Sequence, residues 1–201
     1  MLFRNPIGFR TEDKGFFTLR GTGAGFITLT PPADGVIDWM SGLKARFPGE
    51  IAIVDIREDI HRNFSLSYDF ADIIVIDPEA KAGIESLDIS DTISLMDSLL
   101  NLRLCYEKYT PVYLRLSAGA TPDEVKTLVS FCQLSGIDGI VAPGASRVAL
   151  VKQLSLGRIA IMGTAETPEE AMELLENGAS LVELNATVIS LQKLLKSLSD
   201  K

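Results

Sequence analysis

The chain has 201 residues, 46% of them hydrophobic, which suits one folded domain over residues 1–201 and excludes a disordered chain. Its 19 Lys and Arg stand against 27 Asp and Glu, a net charge of −8, so no nucleic acid and no anionic membrane is expected as a partner through charge. The single histidine, His61, excludes a multi-histidine metal site, and no metal is expected. No apolar run is long enough to cross a bilayer, and Met1-Leu2-Phe3-Arg4-Asn5-Pro6 lacks the pattern of a secretory leader. Cys105 and Cys132 have no metal or redox spacing and are expected as reduced core thiols, consistent with a cytoplasmic protein.

Short β-rich runs recur along the chain, each followed by a helical pattern. In chain order they are Pro6–Phe9, Gly25–Thr30, Ile51–Ile56, Asp72–Asp77, Val112–Leu116, Gly139–Ala142, Arg158–Met162 and Leu181–Asn185. Most are continuously apolar, as strands buried on both faces must be, and this predicts a parallel sheet covered by helices. Helical stripes are formed by Ile89, Ile93, Met96, Leu100 and Leu104, by Val125, Leu128, Val129 and Cys132, and by Leu191, Leu194, Leu195 and Leu198. Thr121-Pro122-Asp123-Glu124 and Thr167-Pro168-Glu169-Glu170 each place Thr at the cap, Pro at the first helical position and Glu at the third. Gly136 and Gly178 stand where those helices should stop. Eight strand–helix units predict a small (β/α)8 barrel, a TIM barrel with short loops, since about 250 residues is usual for that fold. An open doubly wound sheet is the competing arrangement.

In such a barrel the chemistry gathers after the strands. The candidates are Lys14 in the first loop, Thr30 after the second strand, Asp55 and Arg57 at the third, and Asp77 and Glu79 at the fourth. They continue with Arg115 and Ser117 at the fifth, Pro143 and Gly144 at the sixth, Gly163 and Thr164 at the seventh, and Asn185 and Thr187 at the eighth. Counting by two puts Asp55, Asp77 and Arg115 in phase. Lys14, Asp77 and Glu79 are the catalytic candidates. Glu183, in a buried strand, is expected to pair with another interior polar group, and His61 to be exposed without a role. Phe16 and Phe17 are expected in the core.

Several stretches resemble one family. Asn5-Pro6-Ile7-Gly8 with Asp13-Lys14-Gly15, Gly23-Ala24-Gly25-Phe26-Ile27 through Thr30-Pro31, Gly136 through Ala142, and Gly178 through Leu184 are similar to the FMN-dependent dihydroorotate dehydrogenases of pyrimidine biosynthesis. The resemblance covers almost the whole chain, and it implies a (β/α)8 flavoprotein, an oxidoreductase with FMN as cofactor. It places Lys14, Asp55, Arg115, Gly144, Gly163, Thr164, Asn185 and Thr187 around that cofactor. The family usually carries an Asn-rich loop with a Ser or Cys base after the fourth strand. Here the stretch reads Ile76-Asp77-Pro78-Glu79-Ala80. The family's fifth-strand Lys is Arg115, and its Asn and Thr after the sixth strand appear as Pro143, Gly144 and Ala145. Its glycine pair at the phosphate is Gly163-Thr164, with Glu166 close behind.

These departures have a physical direction. FMN needs donors and positive charge around its phosphate and reduced ring. Asp55, Asp77 and Glu166 supply the opposite sign. An Arg115 fork to Asp55 and Asp77 would instead plug the barrel mouth. The leading expectation is therefore a divergent, shortened dihydroorotate dehydrogenase-like barrel without the dehydrogenase activity, a pseudoenzyme that binds a small anionic ligand or acts as a homodimer or partner subunit. The alternatives are an active FMN oxidoreductase using Asp77 or Glu79 as base, and a phosphate-ligand lyase or isomerase. An aldolase of that last kind needs a lysine inside the barrel, and no predicted strand carries one.

Overall fold

The structure, a computed structural model, describes residues 6–11, 24–32, 36–46, 51–80 and 88–185. Its elements are β1 (Ile7–Thr11), β2 (Phe26–Leu29), α1 (Val36–Arg46), β3 (Ala52–Ile56), α2 (Ile60–Ser67), β4 (Ile73–Ile76), a 3-10 turn (Pro78–Ala80) and α3 (Ile89–Arg103). After these come β5 (Val112–Arg115), α4 (Pro122–Ser135), β6 (Gly139–Pro143), α5 (Ala145–Ser155), β7 (Ala160–Ala165), α6 (Pro168–Asn177) and β8 (Leu181–Leu184). Each strand pairs in parallel with the next, and β8 pairs with β1, so the sheet closes into an eight-stranded barrel without a free edge. The open-sheet alternative is excluded by that closure.

Two apolar layers follow from the strand alternation. One set of positions meets inside the barrel: Phe26, Ile53, Ile73, Val75, Tyr113, Val141, Met162 and Leu181. The opposite faces, such as Ile27, Val54, Ile74 and Leu114, pack outward against the helices through Phe64, Met96, Leu99 and Val129. Strands β2 to β8 therefore each carry apolar residues on both sides, which explains the hydrophobic runs.

The amino-terminal end of the barrel is held by two aspartates that sequence reading did not single out. Asp72 accepts the Ala52 N–H at 2.8 Å, and Asp138 accepts the Val112 N–H at 2.9 Å and the Arg103 guanidinium at 3.1 Å. Each lies just before one strand and holds the start of its neighbour, which fixes the register where the ladder begins. The helix signals behave as their chemistry requires. Thr121 accepts the Glu124 N–H while the Glu124 carboxylate reaches back to the Thr121 N–H. At α6 the hydroxyl of Thr167 accepts the Glu170 N–H, but the Glu170 carboxylate reaches the Glu166 N–H instead of closing a reciprocal pair. Gly136 and Gly178 end α4 and α6 as expected.

Three expectations need correction. Leu104 is 81% exposed, because α3 ends at Arg103 and the apolar stripe ends with it. Cys105, in the turn beyond, is exposed, whereas Cys132 is buried as expected. The seventh strand reaches Ala165, so Gly163 and Thr164 lie within it and not in the loop after it. The Leu191–Leu198 stripe, Phe16 and Phe17 lie outside the described residues. Gly163 has a packing reason: a Cβ there would sit 2.9 Å from Leu174 Cδ1 of α6. Gly163→Ala should therefore destabilise the fold by ~1–3 kcal/mol through overpacking, read as a lower midpoint in chemical denaturation. An unchanged midpoint would mean that Leu174 gives way freely.

Candidate functional site

The same alternation that fills the barrel with apolar groups ends in charge at the carboxyl ends of the strands. Two residues past the apolar interior positions stand Asp55 on β3, Asp77 after β4, Arg115 on β5 and Glu183 on β8. Arg10 of β1 and Arg57 just after β3 join them. Three arginines and three carboxylates thus meet at the mouth. The phase expected for Asp55, Asp77 and Arg115 is found, and so is an interior partner for Glu183. Sequence reading missed Arg10. Its expected strand stopped at Phe9, two residues short, whereas pairing of β1 with β2 runs on through Arg10 and Thr11.

Arg10 is the keystone of this cluster. Its Nη2 donates to Asp55 Oδ2 at 2.5 Å and its Nε to Glu183 Oε1 at 2.7 Å. Arg57 donates to the same Asp55 oxygen at 3.0 Å. Arg115 is held more loosely. Its Nη2 lies 3.4 Å from Asp55 Oδ2 and 3.8 Å from Glu183 Oε1, and its Nε lies 3.4 Å from Asp77 Oδ2 without making a hydrogen bond. The expected Arg115 fork is therefore one long hydrogen bond to Asp55 and one long ionic contact to Asp77, and the tight bridge between buried carboxylates belongs to Arg10. The cluster is not fully satisfied. Asp55 Oδ1, Glu183 Oε2 and Thr28 Oγ1 are buried without a hydrogen-bond partner among the described residues.

Electrostatics separate the two aspartates. Burial pushes the Asp55 carboxyl up, but Arg115, Arg10 and Arg57 together outweigh it and hold the group below its ordinary value. For Asp77 burial is again the largest influence and raises the carboxyl. Arg115 opposes it, the neighbouring Asp55 charge adds to it, and the net displacement is upward. Two guanidiniums lie within 4 Å of Asp77, but at 3.4 and 3.8 Å they do not compensate. Burial disfavours the Arg10 cation, yet Glu183 and Asp55 raise it well above the usual arginine value.

The remaining candidates are dispersed. Glu79 sits in the 3-10 turn after β4, where its backbone N–H donates to the Asp77 carboxylate. Asp77 and Glu79 are thus split between the plug and its rim. Thr164 shares its register level with Pro143 and Glu183. Gly163 is turned toward α6. Gly144 alone joins β6 to α5 with φ +74°, a left-handed conformation that a side chain would strain. The Asn185 N–H donates to the Ala165 carbonyl at 2.7 Å, and the residue is exposed. Thr30 is exposed beyond β2. His61 is exposed as expected, its Nε2 2.8 Å from Ser98 Oγ. Lys14 and Thr187 lie outside the described residues.

Two cavities flank the mouth on the β3–β5 side and share Pro78. One, of about 540 Å³, is bordered by Arg57, Asp59, His61, Arg62 and Leu95. The other, of about 290 Å³, is bordered by Arg115, Glu79, Thr92, Ser117 and Leu128 among others. The loop forming the rim of the second is fixed by Arg147 of α5, which donates to the Ser117 and Ala120 carbonyls. Among the described residues no group of three His, Cys, Asp or Glu side chains suits a metal ion, and no helix is long and apolar enough to cross a membrane.

The closed parallel barrel with its mouth at the strand carboxyl ends defines the TIM-barrel class. No family model and no curated protein matches the chain. Solved structures do. Ligand-free DHODH (dihydroorotate dehydrogenase) from Eimeria tenella superimposes with TM-score 0.76 at 13% identity, over 98% of this chain and 83% of that one. The same enzyme in complex with ferulenol gives 0.74 at 14%, over 98% and 82%. The tetrameric deoxyribose phosphate aldolase from Aeropyrum pernix gives 0.73 at 13%, over 96% and 90%. At these identities the likeness establishes the barrel and leaves the chemistry to the site.

The plug makes two sets of predictions. Arg10→Ala leaves two buried carboxylates without their bridge and should cost ~3–5 kcal/mol in denaturant unfolding, with Arg115→Ala costing less. The reverse order would assign the plug to Arg115. Asp55, with its folded pKa depressed, adds stability that is complete above its unfolded value of about 4 and is lost as pH falls through the folded value. Asp77, with its folded pKa raised, favours the fold in acid and loses that gain as pH rises through the folded value. Asp55→Asn should thus lower the melting temperature at pH 7, with the deficit shrinking in acid. Asp77→Asn should equal or exceed the parent at pH 7. Melting curves from pH 3 to 7 read both, and a matching drop in the two variants would contradict the assignment.

Proposed function

We propose that the chain is a dihydroorotate dehydrogenase-like barrel that has given up flavin chemistry, keeps its pore closed by ion pairs, and binds a small anion-bearing ligand at the carboxyl face. The observation that carries this reading is the Arg10–Asp55–Glu183 bridge across the mouth, with Arg57 and Arg115 beside it.

The described residues do not fit FMN. A flavin phosphate calls for free backbone donors and positive charge. The start of α6, where the resembled family places that phosphate, is closed by its own Thr167 and Glu170 contacts and carries Glu166, Glu169 and Glu170. Gly163 packs against Leu174 and is not free to present its backbone to a ligand over the pore. At the mouth Arg10 and Arg57 are already held on carboxylates at 3.0 Å or less, and desolvating a flavin phosphate over Asp55, Asp77 and Glu183 is unfavourable; Arg115, held only at 3.4 Å or longer, borders a side cavity.

The other readings have less support. A base at Asp77 would act from within the plug, against two guanidiniums, and Glu79 lies outside the pore. A Schiff-base lyase needs a lysine in the barrel, and no described strand residue is one. A small anion remains well served, because arginines border both cavities.

The test is a flavin titration followed by a turnover assay with dihydroorotate and an artificial electron acceptor. Colourless purified protein, no quenching of added FMN and no orotate formation are expected. Stoichiometric flavin with turnover would overturn the proposal.

A further inference from the structure

The three mouth arginines are not equally committed. Arg10 makes contacts of 2.5 and 2.7 Å, and Arg57 contacts of 3.0 Å. The ion pairs of Arg115 are all 3.4 Å or longer, its buried Nε makes no hydrogen bond, and its side chain borders the cavity of about 290 Å³. A guanidinium offers five donors in a planar fork, so Arg115 has donors to spare for a ligand.

The same cavity is bordered by a carboxylate that no described cation engages. Two carboxylates border it, Glu79 and Glu124. Glu124 is engaged, accepting the Thr121 N–H at 2.6 Å within the α4 cap. Among the described residues Glu79 has no cationic partner within 4 Å; the carboxylates that Arg115 meets at that range are Asp55, Asp77 and Glu183. A cation and an anion thus border one small cavity without neutralising each other. Thr92 and the apolar residues Ile89 and Leu128 line the same cavity.

We propose that this cavity is a binding site for a small zwitterion of the amino-acid type, with the ligand carboxylate on Arg115 and its ammonium on Glu79. The inference rests on the small-ligand reading above and narrows it from an anion to a dipolar molecule. Opposite charges on its lining fit a ligand that carries both, because a lone anion on Arg115 would leave the Glu79 carboxylate desolvated without a partner. The apolar wall fits an aliphatic side chain. The volume lies near the lower end of ligand pockets, roughly 300–1,000 Å³, which suits an amino acid and excludes a dinucleotide. The rim is preorganised, since Arg147 holds its carbonyls and the Gly119 N–H donates to Ser117 Oγ at 3.0 Å.

Three matched compounds test the idea by calorimetric titration: L-leucine with both charges, 4-methylpentanoate with the carboxylate alone, and 3-methylbutylamine with the ammonium alone. Leucine should bind about tenfold or more tighter than either, the difference expected of one charge-assisted contact. In Glu79→Gln, which leaves the plug untouched, leucine and 4-methylpentanoate should come within about twofold of each other. Equal binding of leucine and 4-methylpentanoate by the parent protein would overturn the zwitterion assignment while leaving the small-anion reading in place. No binding of any of the three would overturn both. A leucine preference that survives in Glu79→Gln would remove Glu79 from the site.

Discussion

The Arg10 guanidinium holds two carboxylates that water does not reach. Asp55 is fully buried and the Glu183 side chain is 2% exposed, so each would be strongly disfavoured as an ion without a partner. Arg10 reaches both at once, and so joins β1 to β3 and β8 across the end of the barrel. The gain is smaller than a count of ion pairs suggests, since Asp55 Oδ1 and Glu183 Oε2 remain without hydrogen bonds. What the bridge supplies is placement. It decides where the apolar interior stops, which guanidiniums are occupied, and which remain able to meet a ligand.

Charge in this protein is arranged around that bridge. Among the described residues the three arginines balance Asp55, Asp77 and Glu183 at the mouth, although the chain carries −8. The environments still differ within a few ångströms. Asp55 lies among three guanidiniums and stays ionised, whereas Asp77 feels burial and the Asp55 charge more than its long contacts to Arg57 and Arg115. This is the pattern of a structural plug with one loosely held side. The loose side faces the β4–β5 rim, where the smaller cavity lies. Likeness to two different barrel enzymes therefore says little about chemistry here, because the residues at the mouth are what would have to perform it.

Much of the scaffold was legible from local patterns. Strand runs such as Ile73–Ile76 are apolar at every position because one face meets the barrel interior and the other meets helices. The Thr121 cap and the Gly136 stop are short-range chemistry, complete within a few residues. The errors came at boundaries. β7 extends to Ala165 because its pairing with β6 and β8 continues past the apolar run. Leu104 reads as core by periodicity and Cys105 by its apolar surroundings, but neither signal shows where the helix ends.

The sequence by itself determined the alternation of strands and helices, the eight-fold count, and the phase that sends Asp55, Asp77 and Arg115 to the same end. These depend on neighbours in the chain and on a period of two. Only the tertiary structure decided the partners. Arg10 meets Asp55 across 45 residues and Glu183 across 173, and closure of β8 on β1 is what brings them together. Such a pairing leaves no periodic trace, because an ion pair depends on distance in space and imposes no spacing along the chain.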